Sequence, residues 1–238
     1  MKIRIKFRKY GVMKFVGHLD IMRYFQKAVR RANIDICYSE GFSPHQIMSF
    51  AAPLGVGITS DGEYLDIEVH STKSTKEMLE TLNATMVEGV EITGYVKLPD
   101  DAKTAMSIVA AADYELFFKK GYEVPFTKSA AAEAVKNYFE TPSEVLITKQ
   151  TKKSERVVDI KPLVYAFEVA GTEEAPRFEI NLSTGSTDNL KPELVLEWLF
   201  DRMGIPYNAN AIQIHRRDVY AKEGEQFVSL LAMGEEIA

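Results

Sequence analysis

The chain has 238 residues, 46% of them hydrophobic and 26% charged, which is enough to bury one or two hydrophobic cores. No run of about 18 apolar residues is present, so no membrane-spanning helix is expected. The single cysteine, Cys37, excludes an internal disulfide and a multi-cysteine zinc or iron–sulfur site within these residues. The first ten residues carry alternating charges and lack an apolar signal core, so we expect a cytoplasmic protein.

The net charge of −5 hides an asymmetry along the chain. Residues 1–50 carry a net charge of +7, and the remaining residues carry −12. A chain polarised in this way can present a basic face to an anionic partner, or it can pair its two halves internally.

The hydrophobic periodicity of the first half of the chain predicts six secondary-structure elements. They are a strand over Lys2–Lys9, a helix over Gly17–Asn33, strands over Ile47–Ala51 and Glu63–Val69, a helix over Ser74–Asn83 and a strand over Val90–Leu98. Ser74 and Glu77 have the spacing of a helix-capping box. The order is β-α-β-β-α-β, which predicts a ferredoxin-like domain over residues 1–98, followed by a linker over residues 99–110.

The second half predicts a similar order with less regular boundaries. Strands are predicted over Ala111–Lys119, Val145–Lys149, Phe178–Leu182 and Ala211–Tyr220, and helices over Thr127–Phe139 and Pro192–Met203. Residues 150–156 resemble a loop, and Pro162 argues against a central strand around it. We therefore predict an α+β protein of two ferredoxin-like domains in tandem, the second over residues 111–222, with a loosely held acidic tail over residues 223–238.

Four positive side chains share one side of the first predicted helix, opposite its apolar stripe. They are Arg23, Lys27, Arg30 and Arg31. Neighbouring like charges on a helix repel each other by a few tenths of a kcal/mol per pair, and Asp20 relieves only part of this repulsion. A phosphate backbone or an acidic protein would relieve the rest. The alternative is a solvated basic face, or one matched by acids of the second domain.

The positive side chains of the first strand are explained by ion pairs within the fold. Asp66 and Glu68, on a neighbouring strand of the predicted sheet, should form cross-strand ion pairs with bases such as Arg4 on an open face. Sheets of this kind that bind RNA display stacking aromatic residues, and only Tyr64 is predicted on that face.

Residues 38–57 form a shaped loop rather than a nucleotide-binding motif. Its glycines permit backbone conformations that are closed to other residues, and Pro44 holds Ser43 extended. Glu40, Ser43 and His45 could form hydrogen bonds near the end of the basic helix. The loop contains no lysine and no phosphate-binding glycine pattern.

Catalysis and metal binding are weakly supported. The four histidines have no metal-ligand spacing, so no metal site is predicted. Ser43 and His45 lie two residues apart and point in different directions in an extended segment, which argues against a hydrolytic group. We predict no catalytic residues and no cofactor.

Several segments together resemble a bacterial family, the radical-SAM-linked domain of unknown function. The resemblance is carried by Phe7–Arg23, Ala28–Ala32, Tyr38–His45, Pro53–Gly57 and Glu63–Glu68, and more loosely by Val157–Val164 and His215–Tyr220. It implies a function beside a radical SAM protein acting in trans, and it does not supply a reaction.

Three functions are consistent with these features. The first is a non-catalytic module that binds a substrate, such as structured RNA or an RNA-containing assembly, for the radical SAM partner. Its binding residues would be Arg23, Lys27, Arg30, Arg31, His18, Glu40, Ser43 and His45. The second is a protein scaffold that docks on the partner without nucleic acid. The third is a metal-independent RNA-processing enzyme with His18 or His45 as general base.

Overall fold

The computed structural model describes residues 1–140, 144–150, 155–185 and 188–238. Its strands are β1 (Lys2–Lys9), β2 (Met48–Phe50), β3 (Thr59–Glu68), β4 (Val90–Lys97), β5 (Val109–Phe118), β6 (Leu146–Gln150), β7 (Glu155–Asp159), β8 (Val164–Gly171), β9 (Pro176–Ser183), β10 (Ile212–Glu223) and β11 (Gln226–Ser229). Its helices are α1 (His18–Arg31), α2 (Thr75–Asn83), α3 (Ala105–Ile108), α4 (Lys128–Glu140) and α5 (Pro192–Arg202). The chain is a mixed α+β protein with mostly antiparallel strand pairing, which confirms the predicted class.

The chain divides into two compact units. One consists of residues 1–111 and 216–238, and the other of residues 112–215. Strand β10 begins in the second unit and ends in the first.

The first unit has the strand order β4-β1-β3-β10, with β2 added to β3 and β11 to β10. Strand β1 is antiparallel to both of its neighbours, so that Ile5 lies opposite Leu65 on one side and Tyr95 on the other. One face of these strands packs against α1 and α2. The buried core of this unit includes Ile3, Ile5, Phe7, Ile21, Phe25, Val29, Leu65, Ile67, Met78 and Leu82.

Local sequence explains how two segments of this unit form. The Ser74 hydroxyl accepts a hydrogen bond from the Glu77 N–H at 3.3 Å, so the predicted cap at the start of α2 is confirmed. Gly62 lies so close to β10 that an added Cβ would be 2.6 Å from Asp218 Cα. A larger residue at position 62 would therefore push the two backbones apart.

The second face of the first-unit sheet is covered, so the prediction of an open face is wrong. Arg4 is 1% exposed, and its guanidinium donates to both oxygens of Asp66 at 2.8 and 3.0 Å, which confirms that predicted ion pair. It also donates to the Leu230 carbonyl oxygen at 3.1 Å, in a 3₁₀ turn that covers this face. Tyr64 is buried as well, and its hydroxyl donates to Asp218 at 2.6 Å. Burial and the nearby Asp218 carboxylate raise the pKa of Tyr64.

The prediction of a loosely held tail is also wrong. Strand β11 pairs with β10. Glu235 and Lys97 exchange backbone hydrogen bonds at 2.8 and 2.9 Å, and the Thr75 N–H donates to the Ile237 carbonyl oxygen at 2.9 Å. Acidic composition suggested a solvated segment, but backbone groups and the buried Leu230 fix it to the first unit.

The second unit has the strand order β10-β5-β9-β8 and a separate hairpin of β6 and β7. Its core contains a group of phenylalanines, in which the rings of Phe126 and Phe200 meet edge to face at 5.2 Å. Pro162 lies in a 3₁₀ turn just before β8. Strand β8 stands last in the strand order, which agrees with the prediction that no central strand forms around Pro162. Of the predicted loop at 150–156, residues 151–154 lie outside the described residues.

Candidate functional site

Helix α1 separates an apolar stripe from a basic face. Ile21, Phe25, Ala28 and Val29 are buried against the sheet of the first unit. The four predicted cations are all exposed on the opposite side. Apolar residues at three- and four-residue steps turn one face of the helix toward the core. The residues between them therefore face solvent.

The four cations of this basic face differ in their partners. Arg23 pairs with Asp20 at 3.2 Å, but both side chains are about two-thirds exposed, so the pair is screened by water. Arg31 donates to the Thr85 carbonyl oxygen at 3.0 Å and lies over the Tyr24 ring. Within the ranges that the structure describes, Lys27 and Arg30 have no acidic partner.

The loop after α1 is closed by its own hydrogen bonds. Ser39 N–H donates to the His45 carbonyl oxygen at 2.8 Å, and the Ser39 hydroxyl is 2.9 Å from His45 Nδ1. The His45 N–H donates to the Ser39 hydroxyl at 3.1 Å. Gly41 has a φ of 107°, which a residue with a side chain rarely adopts. The loop therefore has a defined shape, as the glycine and proline pattern predicted.

Within this loop, Glu40, Ser43 and His45 are exposed. The hydroxyl that contacts the His45 ring belongs to Ser39, whereas Ser43 meets that ring through its carbonyl oxygen at 3.5 Å. The side chains of Ser43 and His45 are thus not brought together as a hydrolytic pair would require, in line with the spacing argument.

His18 lies in a different environment from His45. Its ring meets Phe50 edge to face at 5.4 Å and lines a small cavity with Leu54, Lys9 and Glu63. Burial lowers the pKa of His18, and the positive charge of Lys9 lowers it further against the opposing effect of Glu63. His18 is therefore partly enclosed, whereas His45 stands on an exposed loop.

Sequence reasoning missed three features near these residues. Phe42 is fully exposed at the tip of the loop. Gln46, four residues after Phe42, is buried. Neither the nitrogen nor the oxygen of its side-chain amide has a hydrogen-bond partner within the described part of the chain. Lys9 is buried too, where its ammonium donates to the Val16 carbonyl oxygen at 2.6 Å and burial lowers its pKa. The alternation of apolar and charged residues in the first strand places Lys9 at the end of the strand, and nothing in that pattern indicates that Lys9 is buried.

Residues 1–140, 144–150, 155–185 and 188–238 contain neither a membrane-spanning helix nor a metal-binding cluster of side chains. No helix in these ranges is long and apolar enough to cross a membrane. No group of three or more His, Cys, Asp or Glu side chains in these ranges is arranged to hold a metal ion.

The fold and this surface define an α+β protein with an exposed basic helix, which is followed along the chain by a loop of defined shape. A family model described as "Uncharacterized protein conserved in bacteria (DUF2344)" matches residues 2–192. The chain belongs to this bacterial family of unknown function.

Other comparisons add little to this assignment. A search of curated proteins gives no match. Among solved structures, one chain of a "Cbf5-Nop10-Gar1 Complex" is similar, with 11% sequence identity and a TM-score of 0.49. The alignment covers 96% of this chain and 52% of that chain, so this chain spans about half of that structure's length.

Proposed function

We propose that this chain is a non-catalytic binding module that contacts the phosphates of RNA through the basic face of α1. The observation that carries the proposal is the exposure of Lys27 and Arg30 without acidic partners among the described residues. Arg23 and Arg31 flank them on the same face. A run of cations at helical spacing matches the repeated charges of a nucleic-acid backbone.

Cations on the strands of the first unit differ from those of α1, because several of them pair with acids. Lys6 pairs with Asp218 at 2.9 Å, and Arg8 pairs with Asp61 at 2.7 Å. Carboxylates thus pair with Arg4, Lys6 and Arg8 of β1. On α1, Asp20 is the only acid that pairs with one of the four cations, among the residues that the structure describes. Because unmatched like charges repel, an external anion would stabilise the helix while it binds.

We infer that the first unit is ferredoxin-like, because its element order is β-α-β-β-α-β and β4, β1, β3 and β2 are neighbours in that order. The same reasoning applies to the second unit, where β10, β5, β9 and β8 are neighbours in that order and the β6–β7 hairpin is an insertion.

The link to a radical SAM protein rests on the sequence resemblance and on chemistry. With Cys37 as its one cysteine, this chain does not offer three cysteines for an iron–sulfur cluster. The proposed role is therefore to hold a substrate while a partner protein performs the reaction.

A charge-reversal experiment tests RNA binding. Lys27→Glu with Arg30→Glu should reduce binding of labelled RNA at least tenfold on a filter at low salt, because two phosphate contacts become repulsive. The matched control is Lys73→Glu with Lys76→Glu, which makes the same charge change at exposed residues beside α2. Equal retention of RNA by the wild type and both variants would contradict the proposal.

A protein scaffold is the second candidate, and a specific observation favours it. Exposed apolar side chains lie in the segments near the start of α1, including Val12, Phe15, Leu19 and Val56, each at least 64% exposed. The Gly57 N–H donates to the Lys14 carbonyl oxygen at 2.8 Å and joins two of these segments. Binding of the partner protein that resists nuclease and is lost in Phe15→Glu would favour this reading.

A further inference from the structure

The tip of the loop after α1 presents an aromatic ring to solvent. Phe42 is fully exposed, and Tyr38 at the base of the same loop is 48% exposed. A phenylalanine in this position forfeits the stabilisation that burial of its ring would provide. Its exposure is therefore best explained by a partner that covers the ring.

The backbone of the loop that carries this ring is anchored at its base. Tyr38 and Gln46 form an antiparallel bridge, and the hydrogen bonds between Ser39 and His45 close the segment between them. The Ile47 N–H donates to the Cys37 carbonyl oxygen at 2.9 Å and anchors the base of the loop. An aromatic side chain on an anchored loop loses less conformational freedom on binding than one on a mobile segment.

The charges of the loop indicate which part of a nucleotide it would meet. Residues 38–57 contain no lysine or arginine, and Glu40 is exposed beside the tip. A carboxylate repels phosphates, so the loop suits the uncharged face of a base. The cations stand on α1, whose last residue, Arg31, is six residues before Cys37 and thus at most about 20 Å from it.

We propose that Phe42, with Tyr38 as a second platform, stacks on unpaired bases of single-stranded RNA while the basic face of α1 holds the adjacent phosphates. This inference rests on the proposed function and specifies its substrate class. Bases in a duplex are already stacked and cannot reach an aromatic ring on a loop, whereas bases of a single strand can. Stacking tolerates any base, so the preference is for strandedness rather than for sequence.

Fluorescence anisotropy with two RNA probes tests the inference. The probes are an oligouridylate of about 12 nucleotides and a duplex of the same length, both at low salt. Phe42→Ala should weaken binding of the single strand roughly tenfold and leave duplex binding unchanged. Phe42→Tyr should restore binding, because it keeps the aromatic ring, and Phe42→Leu should not, because it keeps only the apolar volume. Phe15→Ala removes another exposed phenylalanine, 65% exposed and near the start of α1, and is the control.

Each outcome decides the matter. If Phe42→Ala binds the single strand as well as the wild type does, while Lys27→Glu with Arg30→Glu still weakens binding, the stacking inference is wrong and the proposed function stands. Full binding of the single strand by Phe42→Leu would also contradict stacking, because apolar volume without an aromatic ring would then be sufficient for the contact. If the wild type binds neither probe, both the proposed function and the stacking inference are wrong.

Discussion

The first unit contains two sets of positive side chains that differ in burial and in their acidic partners. Three strand cations are buried or half-buried and paired with acids: Arg4 with Asp66, Lys6 with Asp218 and Arg216 with Glu63. Helix cations on the basic face of α1 stay in solvent, and Lys27 and Arg30 lack acidic partners among the described residues.

The difference shows what each set can do. A buried guanidinium must keep its carboxylate, because an unpaired charge in a low-dielectric interior costs several kcal/mol, roughly 3–5. Its charge is therefore used within the fold. Exposed cations carry little of the stability of the fold, so their charge remains available to an external anion. The predictions that follow separate these two roles.

The largest expected effect is loss of the Arg4–Asp66 pair. Asp66→Ala should lower the free energy of unfolding by about 3–5 kcal/mol, because it leaves Arg4 buried without its carboxylate. The Asp66 carboxylate also accepts the Ala105 N–H at 2.6 Å, which adds to the loss. Urea denaturation measures the change. The control is Glu91→Ala, which breaks the half-exposed pair with Arg8 and should cost less than about 1 kcal/mol.

The buried Glu63–Arg216 pair allows a sharper comparison. Glu63→Met alone should cost about 3–5 kcal/mol, whereas Glu63→Met with Arg216→Met should recover most of that loss, because no buried charge remains unpaired. The recovery should be incomplete, since Arg216 also donates to the Ala52 carbonyl oxygen at 2.9 Å. A double variant as unstable as the single one would show that the pair is not the main source of the loss.

Reversal of helix charges should barely affect stability. Lys27→Glu with Arg30→Glu should change the free energy of unfolding by less than about 0.5 kcal/mol, as is usual for exposed substitutions without partners. Thermal denaturation checks this expectation. A large drop in stability would mean that these side chains have a structural role, and the RNA-binding result for this variant would then have to be read as unfolding.

The smallest expected effect is a pH dependence from His18. Its pKa is lowered in the folded state, so the unfolded chain binds this proton more readily below the ordinary pKa of about 6.5. The stabilising contribution is therefore present above that pH and declines as the pH falls from about 6.5 towards the lowered value. His18→Gln should flatten the decline of stability as the pH falls below about 6.5, relative to the wild type. An unchanged profile would assign the dependence to other groups.

Much of the first unit follows from sequence pattern. Strand β1 matches its predicted range, and α1 differs from its prediction by one residue at its start and two at its end. These elements have strong alternation or a continuous apolar stripe, which fix both their type and their buried face. The exposure of the four α1 cations followed from the same stripe.

The errors share a physical cause. The cover over Arg4 comes from Leu230, more than two hundred residues away, and no local pattern shows which distant segment will pack there. The acidic tail was misread for the same reason, since backbone pairing such as that of Glu235 with Lys97 does not depend on composition. Phe42 was overlooked because periodicity describes helices and strands, and a loop residue has no period that indicates its exposure.

The salt dependence of RNA binding tests the central claim most directly. If the cations of α1 neutralise about four phosphates of a single strand, a plot of log affinity against log salt should have a slope of roughly −3. In Lys27→Glu with Arg30→Glu the slope should become shallower by about 1.4, because two contacts of about 0.7 each are lost, while Lys73→Glu with Lys76→Glu leaves it unchanged. A wild-type slope near zero, or equal slopes in all three proteins, would contradict the account.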